Sequence, residues 1–164
     1  MKVFGVAAYS GSGKTTLIEN LVPLMVARGL RVSVIKHAHH AFDVDRPGKD
    51  SYRHRQAGAG EVLVSSGARW ALMHELKNES EPELPALLER LAPCDLVLVE
   101  GFKKQPIPKI EVHRAAAGTS LLFPEDPYIV ALATDARLDS ALPTFRLEDY
   151  AGITGFMLTH LRLA

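Results

Sequence analysis

The chain has 164 residues, enough for one ordinary domain that buries roughly two thirds of the surface its unfolded form exposes. Nineteen basic side chains balance nineteen acidic ones, so the broad positive field that drives nucleic-acid binding is missing and any anion must be gripped locally. A lone cysteine, Cys94, excludes an internal disulfide, and no run approaches the ~20 apolar residues that span a bilayer.

Residues 2–8 are apolar and of strand length, and the run stops at Ser10 without a signal-peptide cleavage pattern, so a cytoplasmic protein is expected. A Gly/Ser cluster follows. Residues 16–28 then place Leu17, Leu21, Leu24 and Met25 at helical spacing, with Pro23 as a point of kink or early break. Arg28 and Gly29 read as a basic last turn and a left-handed cap. Residues 31–36 form a second buried strand, completing a strand-helix-strand unit whose crossover is right-handed.

Between the first strand and helix lies Ala8-Tyr9-Ser10-Gly11-Ser12-Gly13-Lys14-Thr15, which matches the phosphate-loop pattern G-x-x-x-x-G-K-[ST] with Ala8 in the first glycine position. Gly11 and Gly13 stand where bare backbone must approach phosphate oxygens. Amides of residues 11–16 then surround an anion at the positive end of the helix. Lys14 supplies a cation for the β and γ phosphates, and the Thr15 hydroxyl suits Mg²⁺. The alternative is a Gly-rich strand-to-helix turn with an exposed lysine.

Residues 37–49 form a polar loop that leads to a helix starting near Asp50. Runs 61–65 and 69–74 are joined by Ser66-Gly67-Ala68 in the manner of a hairpin. Residues 83–91 are helical in pattern, and 95–99 is a continuous apolar strand of the kind buried on both faces of a parallel sheet. Strands at 109–113 and 128–133 and a final helix over 148–161 complete the chain. The expected fold is α/β, a three-layer P-loop NTPase-type domain over residues 1–164 with a mostly parallel sheet and antiparallel edge strands around 61–74.

Asp95 and Glu100 bracket an apolar strand, and five steps of ~3.3 Å put them roughly 16 Å apart. Ligands of open α/β sheets sit beyond the carboxyl ends of strands, so Glu100 faces the phosphates and Asp95 enters the strand. Glu100 is suited to hold Mg²⁺ through water or to polarise an attacking water; alternatively it is a strand-ending acid. Asp43, Asp45 and Asp50 are further metal candidates, although Asp50 also reads as an ordinary helix N-terminal acid. Lys36, His37, His39 and His40 are suited to a second anionic ligand. Zinc is the competing reading, weakened because no helical H-x-x-x-H or cysteine partner accompanies them, and solvated histidines are the third.

Together these segments carry a family resemblance. Ser10-Gly11-Ser12-Gly13-Lys14-Thr15-Thr16, Lys36-His37 with His39-His40, Asp43-Val44-Asp45 with Pro47-Gly48-Lys49-Asp50-Ser51-Tyr52, Arg55 with Ala57-Gly58-Ala59, and Val99-Glu100-Gly101-Phe102-Lys103 resemble the MobB family of molybdopterin-guanine dinucleotide biosynthesis adapters. Val-Glu-Gly after a strand is also similar to dethiobiotin synthetase and related P-loop ligases. The resemblance implies a homodimeric GTP-binding protein with weak GTPase activity that assists a partner transferase in joining GMP to molybdenum-bound molybdopterin. It implies that Thr15, Asp50 and Glu100 surround Mg²⁺, that Lys14, Glu100 and Asp50 form the catalytic set, and that Lys36 lies near a phosphate. Neither nucleic acid nor membrane is an expected partner.

Two rival functions use the same loop: a small ATP-dependent kinase or ligase, with Arg53 and Arg55 as the nearest candidates for an arginine lid, and a nucleotide switch that regulates a protein. The usual Asn-Lys-x-Asp guanine motif is absent. Asp135, at the carboxyl end of strand 128–133, is the substitute, since one carboxylate can accept both guanine donors. Its competing reading is a turn acid before Ala136-Arg137.

Overall fold

The first apolar run folds as β1 (Lys2–Ala7), an interior strand of a parallel sheet. A computed structural model describes residues 1–38 and 42–164, which form two units: Met1–His37 with Leu84–Ala164, and Ala38–Glu83. After β1 come α1 (Lys14–Val26), β2 (Val32–Lys36), α2 (Asp50–Gln56), β3 (Glu61–Ser65), β4 (Trp70–His74), α3 (Leu84–Glu89), β5 (Leu96–Glu100) and β6 (Lys109–His113). A 3-10 turn (Ala115–Ala117), β7 (Ile129–Thr134), β8 (Thr144–Phe145) and α4 (Tyr150–His160) follow.

In the first unit six strands run parallel in the order β2-β5-β1-β6-β7-β8. Parallel strands buried on both faces alternate their side chains between two cores. Leu96 and Leu98 join Phe4, Val6 and Ile110 against Leu17, Leu21 and Met25 of α1 and Ile153 and Met157 of α4. Val97 and Val99 face the other way, toward Leu84, Leu87 and Leu88 of α3, with Cys94 buried beside them. Helices therefore cover both faces, and the three-layer α/β expectation is met.

Pro23 does not end α1. The amide of Ala27 donates to the carbonyl of Pro23 at 2.9 Å, so the ladder resumes one turn later. Gly29 takes the positive φ of 83° expected of the cap, and Leu30 N–H reaches back to the Met25 carbonyl. At the other end of the chain the Asp149 side chain caps α4 by accepting from the amide of Gly152 at 2.9 Å.

In the second unit β3 and β4 pair antiparallel, with Glu61 opposite His74 and Leu63 opposite Leu72. They form a two-stranded sheet of their own, so the expected antiparallel pair exists but is not an edge of the parallel sheet. Its loop closes through Ser66, whose hydroxyl oxygen accepts from the amides of Ala68 and Arg69. Leu63, Val64, Trp70 and Leu72 remain exposed on this hairpin. Among the described residues no helix is long and apolar enough to cross a membrane.

Candidate nucleotide site

The loop expected to cradle phosphate occupies residues 8–13, between the end of β1 and the first turn of α1. Gly11 and Gly13 have φ of 78° and 96°, a left-handed backbone that a side chain would strain. Gly13 is the N-cap of α1, and a Cβ there would come within 3.5 Å of the Arg114 guanidinium. The Ser12 hydroxyl is buried and has no hydrogen-bond partner among the described residues. Lys14 bends back over the loop and donates to the carbonyls of Ala8 at 3.2 Å and Tyr9 at 3.0 Å. Burial, then the like charge of Lys103, lowers the Lys14 pKa, while Glu100 opposes the shift.

Register explains why Glu100 meets its neighbours. It pairs with Lys36 across β2 and β5 and with Val6 across β1, so the ends of three strands converge on the loop. Glu100 is 8% exposed, accepts from the Thr15 hydroxyl at 3.0 Å and lies 3.6 Å from the Lys36 ammonium. This pair of hard oxygen donors has the chemistry Mg²⁺ requires. Asp95 lies at the other end of the strand, where it accepts from the Arg31 amide at 2.7 Å, and that hydrogen bond lowers its pKa first, before the guanidinium does.

Beyond Glu100 the chain turns sharply. Gly101 has φ 97°, and a Cβ there would sit 2.8 Å from the Cβ of His37. The ring of Phe102 lies on that of His37 with centroids 4.6 Å apart. Lys103 follows, its ammonium 4.6 Å from the centroid of Tyr9 in the phosphate loop. On the opposite flank Arg114, Glu148 just before α4 and Tyr150 at its start line a small cleft with Ser12, Gly13 and Thr16. Asp135 sits behind this flank, and its Oδ1 accepts from the Ala115 amide at 2.7 Å, which fixes the 3-10 turn after Arg114.

The sequence-predicted residues of the first unit thus separate into groups. Thr15, Lys14, Lys36 and Glu100 surround one spot, His37 packs beside it on Phe102, and Asp135 braces a turn. Ser10 and Gly11 are exposed on the loop, and Thr16 accepts from Asn20 through its carbonyl. His39 and His40 lie outside the described residues. In the second unit Asp50 opens α2 and pairs with Arg53 at 3.9 Å. Asp43 and Asp45, offered above as metal candidates, instead hold Arg55, which also pairs with Glu75 at 2.7 Å. Committed to three carboxylates, Arg55 is not available as an arginine lid. No cluster of three His, Cys, Asp or Glu side chains suited to a metal occurs among the described residues.

Sequence reasoning assigned no role to Lys103 or Arg114. Each stands just past the carboxyl end of a parallel strand, and that position was the available signal.

Comparison with known proteins identifies the family. A family model described as molybdopterin guanine dinucleotide synthesis protein B, or MobB, matches residues 3–135. The molybdopterin-guanine dinucleotide biosynthesis adapter protein of Escherichia coli strain K12 is 44% identical over 158 residues, covering 93% of this chain and 89% of that protein. The protein of the same name from Haemophilus influenzae is 47% identical over 144 residues, covering 84% and 76%. A crystal structure of molybdopterin-guanine biosynthesis protein B superposes with a TM-score of 0.78 at 31% identity, covering 98% of this chain and 99% of that one. The chain, with its glycine-rich loop at the head of a six-stranded parallel sheet, belongs to the MobB family.

Proposed function

We propose that this chain is a GTP-binding adapter of molybdopterin guanine dinucleotide biosynthesis, which hydrolyses GTP weakly and assists a partner transferase in attaching GMP to molybdopterin. The observation that carries the reading is the 3.0 Å contact between Thr15 and the nearly buried Glu100 beside Lys14, at the N-terminus of α1. Loop amides and the helix dipole favour phosphate, and Lys14 matches the charge of the β and γ groups. Thr15 and Glu100 would hold Mg²⁺, directly or through water, and the metal would neutralise charge on the terminal phosphates. Lys36 and His37, on the β2 flank, are assigned to the anionic pterin ligand or to the partner.

We assign the molecule to the cytoplasm, in keeping with its single buried thiol, and to a homodimer. What supports the dimer is the hairpin: a two-stranded sheet is marginal alone, and Leu63 and Leu72 present apolar surface on directly opposed positions.

Calorimetric titration of GTP, GDP and ATP with Mg²⁺ tests the reading, followed by turnover with and without the transferase and pterin. GTP preference and a partner-dependent change in cofactor yield are expected. Preference for ATP with phosphoryl transfer to a small acceptor would establish the kinase or ligase reading instead.

A further inference from the structure

Lys109 is a cation in an unusual place. It lies on β6 with 1% of its surface exposed, and its stem crosses β1 at Gly5, where any Cβ would collide with the Lys109 Cγ. The ammonium pairs with Asp126 at 2.7 Å and donates to the carbonyls of Lys103 and Gln105, each at 2.8 Å. Burying a charge is costly, and a methionine would fill the same space without that cost. What the ammonium supplies is three directed donors, and two of them grip the turn between β5 and β6.

That turn carries Lys103 to the phosphate loop. Glycine at 101 and the positive φ of 50° at Phe102 bend it, the His37–Phe102 stack holds its start, and Lys109 holds its middle. The Lys103 ammonium then rests over the Tyr9 ring, a cation–π contact that is weak where water has access and can be exchanged for a phosphate. Lys103 and Lys36 both lie near enough to Lys14 to act on it as like charges, and Lys14 and Lys36 share one carboxylate, Glu100. Lys14 is assigned to the β and γ phosphates, so a cation that acts on Lys14 and rests over Tyr9 is placed to serve the same groups. A local surplus of positive charge in a molecule of zero net charge is the complement of a polyanion.

We infer that Lys103 is a second phosphate-contacting cation of the nucleotide site, directed at the terminal phosphate, and that buried Lys109 is the positioning residue that holds it there. The inference rests on the nucleotide reading above. Lys103→Met should weaken GTP binding by about tenfold or more, the loss of one charge-assisted hydrogen bond, while GDP changes by less than about threefold. Lys104→Met, which removes the same charge from an exposed neighbour, should leave the GTP to GDP ratio unchanged. Lys109→Met should lower that ratio in the wild-type background and have no further effect on it in the Lys103→Met background, a non-additivity that general destabilisation does not produce. Asp126→Asn is the milder variant should Lys109→Met fail to fold, and it should lower the ratio in the same sense.

An unchanged ratio in Lys103→Met, with wild type binding both nucleotides, overturns the role of Lys103 and leaves the nucleotide reading intact. Lower melting temperature without a change of ratio in Lys109→Met or Asp126→Asn overturns the role of Lys109. Failure of the wild-type protein to bind either nucleotide overturns the nucleotide reading and this inference with it.

Discussion

Lys14 donates to two carbonyls of its own loop, so an incoming phosphate competes with neutral acceptors and wins by charge. Lys14→Ala should weaken GTP about ten- to a hundredfold and guanosine hardly at all, in paired equilibrium titrations. Glu100→Gln keeps the shape of the site and removes the carboxylate that Thr15 and Lys36 share. GTP hydrolysis should drop ~10²-fold with little change in affinity, read by single-turnover phosphate release. These residues were legible because a motif of fixed spacing places them: a strand, a loop and a helix leave Lys14 and Thr15 one location each, and a strand end leaves Glu100 one. Asp135 was legible in position but not in its bonding, since no spacing rule announces that the amide of Ala115 lies 2.7 Å from its Oδ1. Asp135→Asn separates two roles. Loss of guanine over adenine selectivity in a competition assay would mark it as the base reader, whereas an equal loss for both nucleotides marks a brace for the turn that follows Arg114.

At the scale of elements, His74 gives the hairpin a pH dependence. It faces Glu61 across the strands at 2.8 Å and Glu79 at 3.2 Å, and the hydrogen bond to Glu61, then that to Glu79, raises its pKa above the ordinary histidine range. A group whose pKa is raised by folding contributes fully below its unfolded pKa, and the contribution is lost as pH rises through the folded value. Amide exchange in β3 and β4, corrected for intrinsic rates, should therefore report a looser hairpin at alkaline than at mildly acidic pH, and His74→Gln should flatten the difference. Gly5→Ala tests the sheet: the added methyl meets the Lys109 stem, and overpacking of this kind costs about 1–3 kcal/mol, measurable by denaturant unfolding. The strands of the parallel sheet were legible because apolar runs such as Leu96 to Val99 have no other stable place than between two layers. Thr144 and Phe145 escaped because two residues carry no period, and the turn Ala115–Ala117 because three alanines carry no cap signal. The hairpin was legible as a pair but not as a separate sheet, since pairing is written in local alternation whereas membership of a larger sheet is not.

At the scale of the whole molecule, the candidate nucleotide site and the exposed apolar hairpin belong to different units of the chain. The proposed adapter function needs both, one to bind a guanine nucleotide and one to meet a second copy. Leu63→Glu with Leu72→Glu should shift sedimentation toward monomer while GTP titration of the first unit's loop stays within about twofold of wild type, the marginal pair of strands being the part that requires cover. The chain's only tryptophan, Trp70, lies on β4 and is 66% exposed. Its emission, excited where tyrosine is dark, starts from a water-facing indole, so any partner that covers the hairpin shifts the spectrum to the blue. Melting of the parallel sheet, which contains no indole, leaves that signal without a direct source. The protein thus carries a built-in optical reporter of whatever covers the hairpin, separate from the unfolding of its parallel sheet, and a dilution series read at that single wavelength tests the proposed encounter of two hairpins without any label.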